Sequence, residues 1–305
     1  MISRYSNDGL TWVDVESPSA EEVSHVLDEF SLPGVIGEEI VSSTLRSKVD
    51  LYDNFIYLIF HFPAVDQKTG RPIEQEIDFV IGKNFLITVR YEPIIPVLEF
   101  AKQFEASTLP GRSRTNMHAG YIFMDLMQQF YKASLRDLEN LTLKLRGIEE
   151  HIFSGHEEAV VKELSATGRK LLDFKQAIRF HRDILQSYES ASKRFFGDEY
   201  MYYASIITSE FNKVNNLLES HRDVLTELQR TNDSLLSTKQ NEILRTFTIM
   251  TFMMVPLTLI TGIYGMNMVP ELIFIRDLKD FYFIISAMFM AIFVMLIFFR
   301  RKRWL

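Results

Sequence analysis

The stretch TFTIMTFMMVPLTLITGIYGMN (residues 246–267), followed after a short gap by FYFIISAMFMAIFVMLIFF (281–299), decides how this chain is built. The runs Thr246 to Tyr264 and Phe281 to Phe299 are each 19 residues long and hold no charged side chain. At about 1.5 Å per helical residue each spans about 28 Å, close to the roughly 30 Å hydrocarbon core of a bilayer. The pair predicts a helical hairpin in a membrane. Its connection, 265–280, is short and carries Gly265 and Asn267 where the chain leaves the bilayer, so any chemistry at that surface belongs to a very small piece of protein.

Outside the hairpin the chain is water-facing. Of 305 residues, about 240 precede the first run, enough for one or two domains with real cores, and they carry most of the charge behind the net value of −7. The only dense basic run, Arg300-Arg301-Lys302-Arg303, abuts the second apolar run. It reads as a membrane-edge anchor, so no nucleic-acid partner is expected. With Lys239 and Arg245 before the first run, the positive-inside bias predicts a multi-pass protein of the cell membrane with both termini cytoplasmic. Met1 to Tyr5 opens no apolar segment, so no secretory signal is expected. Cysteine is absent, which excludes disulfides, thiolate metal sites and cysteine nucleophiles together. There is no phosphate loop, GxGxxG or nucleophile elbow, and the expectation is a non-enzyme without an organic cofactor.

The predicted fold class is an α+β cytoplasmic domain followed by long helices and the two-helix membrane hairpin. Residues 1–110 form the α/β domain. Leu10 to Val15, Phe55 to Phe62, Ile77 to Ile81 and Phe85 to Tyr91 are rich in β-branched and aromatic residues, and Gly82-Lys83-Asn84 is a hairpin turn. Ser17 to Glu22 starts a helix, with Pro18 inside the first turn and carboxylates at its positive end. Residues 111–197 form a helical hairpin, in which Leu138, Leu141, Leu145, Ile148 and Ile152 recur at the spacing of a lengthwise packing seam and a second helix runs from His156 to Phe195. Gly197 and Asp198 break it. From Asp198 to Val255 neither Pro nor Gly occurs, so a single helix, about 87 Å long over that stretch, is expected to run over 198–264 into the membrane, with Pro256 as its bend. A break at Thr231-Asn232-Asp233-Ser234 is the alternative. The loop 265–280, the second membrane helix 281–299 and a basic tail 300–305 complete the order.

Along the first membrane run Asn241, Leu244, Phe247 or Thr248, Thr251, Val255, Thr258 and Gly262 fall on one stripe at spacings of about 3 and 4. The stripe mixes small, polar and apolar residues, whereas the second run is apolar all round. Such a stripe suits the wall of a central passage in an oligomer. Ordinary helix packing is the other reading, since small and hydroxylated residues also serve as membrane interface contacts.

Tyr264-Gly265-Met266-Asn267 and Pro270-Glu271-Leu272, with Thr238 to Glu242, Pro256-Leu257-Thr258, Gly262-Ile263-Tyr264 and the basic end at Trp304-Leu305, resemble in order and spacing the CorA family of magnesium channels. The resemblance implies a funnel-shaped homopentamer that admits hydrated Mg²⁺, with Co²⁺ and Ni²⁺ of similar size able to follow. It assigns Gly265, Met266 and Asn267 to the selectivity filter, Asn241 to a polar ring at the cytoplasmic end and Leu244, Phe247 and Val255 to apolar constrictions. Thr251, Thr258 and Gly262 complete the lining. The chemistry of the loop agrees. Mg²⁺ gives up its water reluctantly, so a site gains by hydrogen-bonding the hydrated ion, and an Asn carbonyl accepts from that shell without the grip of a carboxylate. Glu271 at the outer mouth, with Asp277 and Asp280, raises local cation concentration against Arg276 and Lys279.

The resemblance further implies closure by Mg²⁺ bound between neighbouring cytoplasmic domains. Glu38-Glu39 stand at the first carboxylate position; at the second the chain has Ile206, with Glu210 one turn on, so that regulation is expected to be weaker, relocated or absent. Two rival functions remain open on the sequence: a zinc transporter resembling ZntB, driven by protons, and a non-conducting membrane sensor or scaffold.

Overall fold

In the computed structural model the described residues are 1–7, 9–44, 46–65, 72–107, 118–155, 157–265 and 278–302. Six strands form one sheet: β1 (Ile2–Asn7), β2 (Leu10–Glu16), β3 (Lys48–Leu51), β4 (Phe55–Val65), β5 (Pro72–Gly82) and β6 (Phe85–Arg90). Their spatial order is β1-β2-β6-β5-β4-β3, and only the β2–β6 pair is parallel. The expected turn at Gly82-Lys83-Asn84 is present, since Ile81 pairs with Leu86 across β5 and β6.

Both faces of this sheet are covered, which explains why the β4 sequence reads as an unbroken apolar run and not as an alternation. Ile56, Leu58, Phe60 and Phe62 point to one core; Phe55, Tyr57 and Ile59 point to the other. The second core is closed by α1 (Ala20–Phe30) and α2 (Gly34–Ile40), which supply Val23, Val26, Ile36 and Ile40. Helix α1 begins in a capping box in which Ser19 and Glu22 satisfy each other's backbone N–H groups. Pro18 therefore precedes the cap and does not lie inside the first turn as expected, because Ser19, a better N-cap, takes that place.

The first core is closed by α3 (Ile95–Ser107) and α4 (Ala119–Ser154), and all five residues of the expected seam, Leu138 to Ile152, are buried. The helix expected over 156–195 is instead two, α5 (Glu157–Ala177) and α6 (His181–Phe196). His181 opens the second of them. It is fully buried between Tyr131, whose Oη lies 3.0 Å from Nδ1, and the backbone carbonyl of His61, 2.8 Å from Nε2. A neutral ring that donates from Nε2 to the carbonyl and accepts at Nδ1 from the Tyr131 hydroxyl satisfies both, and burial, which disfavours the imidazolium, pushes its pKa down to about 3.

Gly197, at φ +98°, ends α6 and leads through a 3₁₀ turn at Asp198–Tyr200 into α7 (Met201–Gly265). The first part of α7 buries Ala204, Ile207, Phe211, Val214, Leu218, Leu225 and Leu228 at spacings of 3, 4 and 7. This is the matching seam for the α4 stripe. His221 fills the gap in it and bonds Thr142 of α4 at 2.8 Å. Helix α7 runs unbroken through 231–234, and α8 (Leu278–Arg301) follows. The chain divides into two compact units, Met1–Gln229 and Arg230–Leu305.

Candidate functional site

In the second unit, α7 and α8 are the two helices long and apolar enough, among the described residues, to cross a membrane. Each has one covered face. On α7 it carries Ile249, the most buried, with the half-buried Met253, Pro256, Leu257 and Ile260; on α8 it carries Ile284, Met288, Ala291, Ile292, Met295 and the buried Phe299. At about 100° per residue the stripe Leu244, Phe247, Thr251, Val255, Thr258 and Gly262 falls on the side of α7 opposite its covered face. All six are exposed, as is Asn241 about one turn before Leu244; Phe247 is 62% and Val255 59% exposed. Thr248 is half-buried beside Ile249, so between the two expected candidates Phe247 holds the open side.

The hydroxyls on this helix have a fixed polarity. Thr248 donates to the Leu244 carbonyl at 2.8 Å, Thr251 to Phe247 at 2.9 Å and Thr258 to Met254 at 2.9 Å. With the proton spent inside the helix, each oxygen has lone pairs left to present outward. Such a surface accepts hydrogen bonds, which suits a hydrated cation and not an anion. Pro256 has no N–H, which removes one rung of the helical ladder at the middle of the run. The helix ends at Gly265. Met266, Asn267 and Glu271 lie outside the described residues.

The two expected regulatory carboxylates are each engaged within the chain. Glu39, on α2, pairs with Lys48, which also holds Asp50 at 2.7 Å; Glu210 pairs with Lys213 at 2.7 Å. Ile206 packs half-buried against the larger core, so its side chain serves the fold. Among the described residues no three His, Asp or Glu groups are placed to hold a metal ion.

A polar cluster that the sequence reading missed lies in the first unit, on the sheet face beneath α2. Glu76 and Asp78 stand two apart on β5 and so point the same way; both are buried, Asp78 completely. Tyr57 Oη donates to Asp78 Oδ2 at 2.9 Å. Glu76 Oε2 accepts from the Thr44 N–H and lies 3.3 Å from His61 Nε2. The signal was available as Glu74-Gln75-Glu76-Ile77-Asp78, an alternation that ordinarily marks a solvated strand face.

An α+β body and a long helix that continues into an apolar hairpin are the architecture of a membrane protein with a large water-facing domain, and the comparisons with known proteins make it a cation transporter. The chain belongs to the CorA family: it matches the family described as CorA-like Mg2+ transporter protein over residues 7–303. The cobalt/magnesium transport protein CorA of Thermotoga maritima is 22% identical over 306 residues, covering 97% of this chain and 83% of that one. Among solved structures, the CorA magnesium transporter of Methanocaldococcus jannaschii has the same fold at a TM-score of 0.85 and 19% identity, covering 100% of this chain and 98% of that one. The ZntB cytoplasmic domain of Vibrio parahaemolyticus is a more distant likeness, with a TM-score of 0.63 at 11% identity over 76% of this chain and 89% of that one.

Proposed function

We propose that this protein is a channel through which hydrated Mg²⁺ enters the cell, assembled as a homopentamer with α7 lining the passage and both termini in the cytoplasm. The observation that carries the reading is the open stripe on α7. A helix with one covered face, whose opposite face presents hydroxyl oxygens, a glycine and an Asn among its apolar residues, gains from something polar to face. Copies arranged around an axis supply it. Asn267 from each copy forms the outer ring that accepts hydrogen bonds from the ion's water shell, and Glu271 draws cations towards it. Leu244, Phe247 and Val255 are the narrow apolar levels at which dewetting stops conduction. The driving force is the membrane potential, about 2.3 kcal/mol per charge per 100 mV, doubled for a divalent ion.

Flux into proteoliposomes tests this directly. Purified protein should carry Mg²⁺ inward under an inside-negative potential, and Asn267→Ala should cut the rate at least about tenfold, equivalent to about 1.4 kcal/mol. Mg²⁺ flux unaffected by that substitution sinks the proposed filter. No flux of any cation returns the hairpin to the role of an anchor, and Zn²⁺ flux driven by an imposed proton gradient in excess of Mg²⁺ flux returns the zinc reading.

A further inference from the structure

We propose that Glu76 and Asp78 form a proton-binding site that holds one shared proton inside the cytoplasmic domain and couples cytoplasmic pH to helix α2.

Asp78 Oδ1 and Glu76 Oε1 are buried and, among the described residues, neither is reached by a hydrogen-bond donor, although the other oxygen of each carboxylate is. Two bare oxygens left in one buried pocket by neighbouring carboxylates carry a large desolvation cost. A single proton lowers it, because it removes one of two like charges on neighbouring positions of one strand face and turns the Asp78 carboxyl into a donor that Glu76 can accept. Burial first, and the Glu76 charge second, push Asp78 well above the usual carboxylate range. The Tyr57 and Tyr91 phenols are raised as well, mainly by burial and then by Asp78, so neither ionises to compete for the proton.

Lys48 stands on one flank of the pair and His61 on the other. From α2 comes Glu39, tied to Lys48 of β3, with Asp50 beside it. From β4 come Tyr57 and His61. The His61 pKa is raised, burial opposing and the Glu76 hydrogen bond and the Thr44 carbonyl favouring its charged form. Glu74 of β5 acts on His61 from farther off. From the end of β6 comes Tyr91, whose Oη donates to the Ile40 carbonyl at the last residue of α2, 3.0 Å away. Helix α1 buries only Val23 and Val26, its Glu22 and Glu29 being engaged by the Met1 amine and Arg4. The Asp14–Arg90–Glu16 ion pairs belong to the opposite face of the sheet, with Trp12 and Thr88.

Protons have a way in and their loss has a mechanical consequence. A cavity of about 260 Å³ lined by Ser43, Thr44, His61, Glu74, Glu76 and Tyr91 reaches the cluster. When the shared proton leaves, two like charges remain side by side under α2, and Tyr91 is the direct link from them to the end of that helix.

The sign of the effect follows from linkage. The unfolded chain gives up this proton near pH 4, the folded one retains it, so the folded state binds more protons in between and stability falls as pH rises through the folded value. In full-length protein in nanodiscs, the melting temperature of the cytoplasmic domain should therefore drop by at least about 3 °C between pH 6.5 and 9. Asp78→Asn, which can accept from Tyr57 and donate to Glu76 as the protonated acid does, should flatten that profile. The infrared carbonyl band of a protonated carboxylic acid, present in the wild type at pH 7, should disappear in the same variant. If Asp78→Asn does not fold, Glu76→Gln and the wild-type band alone decide the matter. Parallel pH profiles of wild type and variant, or no protonated-acid band at pH 7, overturn the site. The coupling to flux rests on the transport reading above: Mg²⁺ flux in proteoliposomes should depend on internal pH and lose that dependence in Asp78→Asn. Melting and infrared measurements need no transport, so a failed channel and a failed proton site give different results.

Discussion

The two units of this chain solve the burial of apolar side chains in opposite ways. In the unit Met1–Gln229 the chain covers itself: Trp12, Phe60, Phe79 and Tyr131 are buried almost without residue, and even the polar His181 finds a partner for each ring nitrogen. In the unit Arg230–Leu305 many of the large described side chains stand open, Phe247 at 62%, Leu259 at 63% and Phe283 at 74% exposure, while only one face of each helix is covered. In water such a surface is untenable. The difference teaches that the body buries its own core, whereas the open faces of the hairpin call for apolar surroundings that the chain itself does not supply.

The widest gap between the units should appear in stability. Phe60→Ala removes a ring packed edge-on against Phe79 and His181, and is expected to cost about 3–5 kcal/mol, lowering the melting temperature of the body on the order of 10 °C. Phe283→Ala, at an exposed position of α8, should leave that melting temperature unchanged. An equal loss from both would mean that the body does not stand on its own core, and the comparison would break.

Within the hairpin the same contrast separates two faces of α7. Val255→Ser, on the open stripe, should wet an apolar level and raise resting Mg²⁺ flux by about tenfold, or about 1.4 kcal/mol. Ile249→Ser, on the covered face, should instead reduce the amount of assembled protein and leave the flux of each assembly near its wild-type value. If the two substitutions act alike, the stripe has no special place at the axis.

What could be read from sequence divides along the same line. The hairpin was legible because an uncharged 19-residue run matches the thickness of a bilayer core and carries nothing to hold it in water, and the stripe because a helix of known period fixes which residues share a side. Strands β2, β4, β5 and β6 were legible for their β-branched and aromatic content. Strand β1, IleSerArgTyrSerAsn, and the four-residue β3, Lys48–Leu51, were not, since edge strands carry polar residues that read as loop. Helix α2 was missed because it is seven residues long with Gly34 and Gly37 in it. The break between α5 and α6 has no Pro or Gly to announce it; it falls just before His181, whose buried partners lie on α4 and β4 and are known only from the fold. The burial of Glu76 and Asp78 was hidden for a related reason. Charges on a strand are assigned to solvent unless the tertiary cover, here α2, is already known.

The smallest effect belongs to the surface of the body. Glu219 of α7 accepts from Lys175 of α5 at 2.7 Å and from Arg222 at 3.2 Å, and Lys175 chiefly holds its pKa below the usual glutamate range. Each side chain is 42% exposed, so solvent screening limits the pair to about 0–1 kcal/mol. A lowered acid stabilises the fold above its unfolded value near pH 4.3, and that contribution fades as pH falls through the lower folded value. Glu219→Gln should therefore lower the melting temperature by no more than about 3 °C at pH 7, and by progressively less in acid or in 1 M salt. This dependence runs opposite to the one expected at Asp78, where stability is lost on the alkaline side. Separate measurement of the two variants across pH 3 to 9 would show whether the body carries an exposed charge pair and a buried shared proton as distinct devices. A single common profile would mean that both report one global transition of the unit.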